Sequence, residues 1–260
     1  MKINQKKVDK ISYGLGIKYL WWFLEDYKIL GEKNLEKITE KKILYLPNHV
    51  SHFDYILIPH ILNRHKIPHP AIVAGENINS WPINKLFSEE TGAIFVDRGK
   101  IENGKFWKKK ESLIKLKKDI GEVVFEGYSL MPFIEGTRGN GLNVMKDPKE
   151  RYLKEYFYQI LKQNKNSDDY IGINIAINYK PHVIEKPFSK CTQFFKGKFF
   201  LLYFGLDLFS FATQPIRKKP TAYINLGEPY PLKEFIEKQD SRGLVDYVGE
   251  DVKKLFREIK

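Results

Sequence analysis

The residues best suited to chemistry lie in Pro47-Asn48-His49-Val50-Ser51-His52-Phe53-Asp54. A carboxylate that meets one imidazole nitrogen fixes the tautomer and stabilises the imidazolium. The other nitrogen is then available as a general base. The segment directly follows the apolar run Ile43 to Leu46, and open α/β sheets place ligands at the C-terminal ends of their strands. With Ser51 as the cap of the next helix, His49 falls in the incoming loop and Asp54 in the first turn. The loop can then fold back onto the carboxylate. Two alternatives stand beside this. Ser51 followed by Asp54 is also a capping-box pattern, which gives Asp54 a purely structural role. His52 is a rival imidazole, two residues from Asp54, that suits a structural or substrate-facing place. The spacing of His49 and Asp54 decides nothing by itself.

A second constellation is Phe133-Ile134-Glu135-Gly136-Thr137-Arg138, which closes another apolar run and leads into Gly139-Asn140-Gly141. A glutamate, a hydroxyl and an arginine on a glycine-rich turn suit an oxyanion or phosphate, which free backbone N–H groups and a guanidinium fork both favour. An ordinary surface turn with an exposed ion pair is the plainer alternative. Ala93-Ile94-Phe95-Val96-Asp97-Arg98 gives a third run ending in charged residues.

These segments need strands to carry them. Ile43 to Leu46, Ala71 to Ala74, Ala93 to Val96, Leu130 to Ile134, Ile171 to Ile177 and Ala222 to Leu226 read as strands. Tyr55 to Leu62, Phe106 to Ile120 and Glu150 to Gln163 read as helices, and Leu232 to Lys260 as one or two more. The alternation predicts an α/β fold with a mixed, largely parallel sheet flanked by helices. Ile11 to Leu30, rich in aromatics, predicts an amphipathic helical lead-in that packs on the core or lies in a membrane interface. The expected organisation is a lead-in over residues 1–35 and one α/β domain over 36–260. Phe199 to Ala212 is the most apolar stretch and too short to cross a bilayer. It suits a buried core helix, an interfacial segment or the wall of an acyl-chain pocket.

The net charge of +12 favours nucleic acid, anionic headgroups or acidic ligands without choosing among them, and many of the lysines suit solvated helix faces. The single cysteine, Cys191, excludes an internal disulfide and cysteine-based zinc sites and fits a reducing compartment. Met1 to Lys10 is polar and charged, unlike a secretory signal.

The ordered segments resemble the glycerolipid acyltransferases, which act on glycerol 3-phosphate, dihydroxyacetone phosphate or lysophosphatidate. Asn48 to Asp54, Gly92 to Arg98 and Phe133 to Arg138 stand as three of the family's blocks. The apolar strand ending in Asn178-Tyr179 is the fourth, and Asn225 to Pro229 is a familiar tail. The resemblance implies that His49 is the general base and Asp54 its orienting partner. It implies that Arg98, Glu135, Gly136, Arg138 and, more weakly, Thr137 hold the acceptor phosphate and shape the site. Gly139-Asn140 stand where the family commonly has a serine and a second basic residue, and Lys146 is a candidate to supply that charge.

The implied reaction needs no metal or other cofactor, only acyl-CoA or acyl-ACP as co-substrate. Ser51 to Tyr55, Ala74 to Asn79, Gly127 to Leu130 and Val183 to Glu185 resemble the branch that acylates glycerol 3-phosphate or dihydroxyacetone phosphate. Ile94 to Arg98 is closer to the lysophosphatidate branch. The implied place is the cytoplasmic face of a membrane, held peripherally by anionic lipids, with no transmembrane span and no nucleic acid partner. A hydrolase or thioesterase using the same His/Asp pair is one rival. A non-catalytic basic membrane-surface protein is another, and it leaves the ordered blocks unexplained.

Overall fold

The computed structural model describes residues 3–10, 24–38, 41–51, 53–76, 91–136, 145, 147–163, 170–181, 219–238 and 241–260. In chain order these form α1 (Gln5–Lys10), β1 (Asp26–Leu30), a 3-10 segment (Glu32–Ile38), β2 (Lys42–Pro47), α2 (Asp54–Arg64), β3 (Ala71–Gly75) and β4 (Ala93–Val96). There follow α3 (Arg98–Asn103), α4 (Phe106–Phe125), β5 (Leu130–Pro132), α5 (Glu150–Gln163), β6 (Tyr170–Lys180), β7 (Thr221–Leu226), β8 (Tyr230–Pro231), α6 (Leu232–Lys238) and α7 (Ser241–Glu258).

The strands form one sheet in the order β1-β7-β6-β2-β5-β3-β4, with β8 also paired to β6. β6, β2, β5, β3 and β4 run parallel. β7 runs antiparallel to β6, and β1 is parallel to β7. The sheet is mixed, largely parallel and flanked by helices, as the alternation predicts. The strands read as unbroken apolar runs because both faces are covered. Leu44 and Leu46 pack with Leu116, Ile120, Tyr156 and Val248 from the helices on one side. Ile43 and Tyr45 pack with Leu57, Ile58 and Ile61 of α2 on the other. Each such aliphatic side chain contributes roughly 1.5–3 kcal/mol by leaving water.

The C-terminal segment forms two helices, α6 and α7, within the expected one or two. Two other expectations change in detail. β5 stops at Pro132, since proline cannot donate to the ladder, and Phe133 to Glu135 bend out of the sheet instead of extending it. The helix expected over Ile11 to Leu30 does not reach its end: Asp26 to Leu30 is a strand paired with Thr221 to Asn225. Here the two-residue alternation decides, with Tyr27 and Ile29 turned to the core and Asp26, Lys28 and Leu30 exposed. Residues 11–23, Cys191 and the stretch Phe199 to Ala212 lie outside the described residues. Among the described residues, no helix is long and apolar enough to cross a membrane.

Candidate active site

β2 ends at Pro47, and Asn48 continues its pairing by other means. The Asn48 backbone N–H donates to Ile175 O at 3.2 Å. Its side-chain amide then copies a peptide, with Nδ2 donating to Ile177 O at 3.1 Å and Oδ1 accepting from Ile177 N at 2.7 Å. The chain can therefore leave the sheet here while staying fixed to β6. Asn48→Ala strands the Ile177 N–H and C=O in a buried place. It is expected to cost about 2–4 kcal/mol, read as a lower midpoint in urea unfolding.

His49 follows in the loop, and its Nδ1 lies 2.9 Å from Asp54 Oδ2. Both residues are buried, His49 at 3% and Asp54 at 0% exposure. Asp54 Oδ2 also accepts from the backbone N–H groups of Val50 at 2.7 Å and Ser51 at 2.9 Å. The reach back to Ser51 N–H is half of a capping box, but the serine hydroxyl accepts from Phe53 N instead of the helix interior. Phe53 is the N-cap residue and makes no side-chain cap bond. One carboxylate thus serves the helix start and meets the imidazole at once. The imidazole is held between rings, 4.2 Å from Phe133 and 4.9 Å, edge-on, from Tyr55. With Nδ1 on the carboxylate, Nε2 is the nitrogen through which a proton can be exchanged.

The fourth ligand of Asp54 is one that sequence reading did not assign. The Tyr179 hydroxyl, at the end of β6, donates to Asp54 Oδ1 at 2.7 Å and is itself fully buried. Donors from the loop meet Oδ2 and a donor from β6 meets Oδ1, so the plane of the carboxylate is set by the fold. Tyr179→Phe should lower kcat roughly tenfold, the scale of one hydrogen bond to a charged group. Without the phenol, more of the carboxylate's charge bears on His49, so the acid limb of the pH–rate profile should move to higher pH.

β5 is the neighbour of β2, which brings the Phe133 to Gly136 turn beside His49. The turn is pinned by Ile134 N donating to Pro47 O at 3.0 Å and Lys149 N donating to Ile134 O at 2.8 Å. Gly136 adopts φ +61°, and a Cβ there would lie 2.9 Å from Lys149 Cγ, so glycine is required on both counts. Glu135 is buried at the same turn. Lys149, not singled out from sequence, is a further cation against this turn. Thr137, Arg138, Lys146 and His52 lie outside the described residues.

Arg98 opens α3 after Asp97, whose side chain caps that helix by accepting from Lys100 N at 3.0 Å. β4 is three places from β2 in the sheet, so their ends stand about 14 Å apart. Arg98 thus stands apart from the His49 turn, close to α5. Burial pushes the Tyr156 phenol up, against the opposing pull of Arg98. Among the described residues, no three histidine, cysteine or carboxylate side chains are grouped to hold a metal.

A buried histidine–carboxylate pair at a strand end, beside a glycine turn, fits general-base chemistry in several families. The family is decided by likeness to known proteins. The model of the acyltransferase family matches residues 28–160, just over half of the 260-residue chain. The chain belongs to the acyltransferase family. All three of the family-like segments up to Arg138 fall inside that match. A curated relative, the glycerol-3-phosphate acyltransferase of Baumannia cicadellinicola subsp. Homalodisca coagulata, is 30% identical over 229 residues. The match covers 86% of this chain and 26% of that protein, so the chain spans about a quarter of the length of its relative. The crystal structure of the 1-acyl-sn-glycerophosphate (LPA) acyltransferase from Thermotoga maritima has the same fold. Its TM-score is 0.57 at 16% identity, covering 98% of this chain and 79% of that one. The glycerolipid acyltransferase resemblance seen in the ordered blocks is borne out at the level of the family.

Proposed function

We propose that this acyltransferase moves a fatty acyl group from acyl-CoA or acyl-ACP to a hydroxyl of glycerol 3-phosphate or dihydroxyacetone phosphate. The observation that carries the reading is the buried contact of His49 Nδ1 with Asp54 Oδ2. His49 Nε2 takes the proton of the acceptor hydroxyl as its oxygen attacks the thioester carbonyl. Asp54 stabilises the imidazolium, and backbone N–H groups at the strand ends stabilise the tetrahedral oxyanion. The intermediate collapses with loss of the thiolate, which recovers the proton from His49. A thiol with a pKa near about 8.5 is a good leaving group, so no acyl-enzyme is needed. Arg98, Glu135, Gly136, Thr137, Arg138 and Lys146 shape the acceptor site, the cations among them holding the phosphate. The enzyme works at the cytoplasmic face of a membrane, where its product resides.

The acceptor reading is supported by the segments Ser51 to Tyr55 and Gly127 to Leu130, and by the name of the 30%-identical relative. The resemblance of Ile94 to Arg98 favours lysophosphatidate as the second reading. One panel separates them: kcat/KM for glycerol 3-phosphate, dihydroxyacetone phosphate and lysophosphatidate with a common acyl donor. Glycerol 3-phosphate or dihydroxyacetone phosphate should lead by at least about tenfold. A lead for lysophosphatidate would reverse the assignment.

A further inference from the structure

Helix α4 begins outside the body of the protein. None of its first ten residues, Phe106 to Lys115, is fully buried; Leu113 is partly buried against the core, and full burial starts at Leu116. The direction of this overhang follows from topology. β4 and β5 are both parallel to β3, so the connection between them must return from the C-terminal ends of the strands to the N-terminal ends. The start of α4 is therefore at the end of the sheet that carries His49 and Phe133.

What projects there is unusual for a solvated helix. Phe106 is 78% exposed, Trp107 62% and Ile114 56%. Lys105, Lys108 and Lys110 surround the two aromatics and are exposed, with Lys105 Nζ 5.4 Å from the centre of the Trp107 ring. Further along the helix the lysines are matched: Lys115 with Asp119, Lys117 with Glu155 and Lys118 with Glu122. No described carboxylate pairs with Lys105, Lys108, Lys109 or Lys110 at the overhang. Adjacent exposed aromatic rings ringed by unmatched ammonium groups fit a surface that is anionic outside and apolar a few ångströms in. An acidic protein or a nucleic acid would account for the lysines but leave Phe106 in water.

We propose that the overhanging start of α4 docks on an anionic phospholipid surface, with Phe106 and Trp107 entering the headgroup layer and the His49 end of the sheet turned to the bilayer. This gives the membrane attachment a place separate from the lead-in. Its purpose rests on the acyl-transfer reading, while the binding itself does not.

The test is sedimentation of the whole chain with vesicles of phosphatidylglycerol and phosphatidylcholine, against phosphatidylcholine alone, alongside turnover of a short-chain, water-soluble thioester. The wild type should bind the mixed vesicles, and less so as salt rises. F106S/W107S should bind at least about tenfold more weakly with soluble turnover unchanged. K108E/K110E, which keeps the aromatics, should lose the preference for phosphatidylglycerol. The proposal is overturned if F106S/W107S sediments like the wild type, or if the wild type ignores both vesicles. Correct vesicle behaviour with no acyl transfer from the soluble donor would sink the functional reading and leave this docking surface standing.

Discussion

His49→Ala should lose roughly 10³-fold or more in kcat while the KM values for acceptor and thioester stay within a few-fold. General-base assistance is worth about 10²–10⁴, and the imidazole is here held by a buried carboxylate between two rings, so little flexibility dilutes it. The effect belongs in kcat because the proton is taken only as the hydroxyl attacks, while ground-state binding falls to groups at other strand ends. Alanine leaves a space between Tyr55 and Phe133. His49→Gln, which refills most of it without a base of suitable pKa, should be equally slow and closer to the wild type in thermal stability. Steady-state kinetics with both variants, beside a thermal melt, separates lost chemistry from lost packing.

Asp54→Asn should reduce kcat about 10²-fold with only a small change in melting temperature. The geometry explains the combination. Asp54 Oδ2 accepts from His49 Nδ1, Val50 N and Ser51 N. An asparagine oxygen can take that place and keep all three donors. The amide nitrogen then faces the Tyr179 hydroxyl, which can rotate from donor to acceptor. The tautomer survives, and what disappears is the negative charge that stabilises the imidazolium. The acid limb of the pH–rate profile should therefore move to lower pH, opposite to Tyr179→Phe. Asp54→Ala differs in kind, because it leaves four buried donors, His49 Nδ1, Val50 N, Ser51 N and the Tyr179 hydroxyl, without their acceptor. It should add a stability loss of about 3 kcal/mol or more. Equal stability losses for the asparagine and alanine variants would argue that Asp54 serves only the fold.

The parts of this site legible in the sequence are those written locally. His49, Ser51 and Asp54 fall within six residues, so a strand followed by a helix start is enough to foresee their meeting. The central strands are legible because burial on both faces leaves unbroken apolar runs such as Ile43 to Leu46. Tyr179 and Asn48 are different. Their partners are 125 and 129 residues away along the chain, and the contacts exist only in the register that sets Pro47 opposite Ile175. No local pattern encodes that register, although the order of the blocks hinted that β6 ends near the site. Lys149 is hidden for the same reason, since its place depends on how α5 starts against the Gly136 turn. The strand over Asp26 to Leu30 is hidden in the sequence for another reason. Its alternation is only five residues long and follows an aromatic-rich segment whose period looks helical.

Acyl transfer by His49 to a phosphorylated glycerol is tested most directly by following a labelled acyl thioester with and without glycerol 3-phosphate, using the wild type and His49→Ala. The prediction is that label passes to an ester of the acceptor in the wild type, that this depends on the acceptor, and that it all but ceases in the variant. Free fatty acid released at the same rate without acceptor, or ester formed by His49→Ala at the wild-type rate, would contradict it.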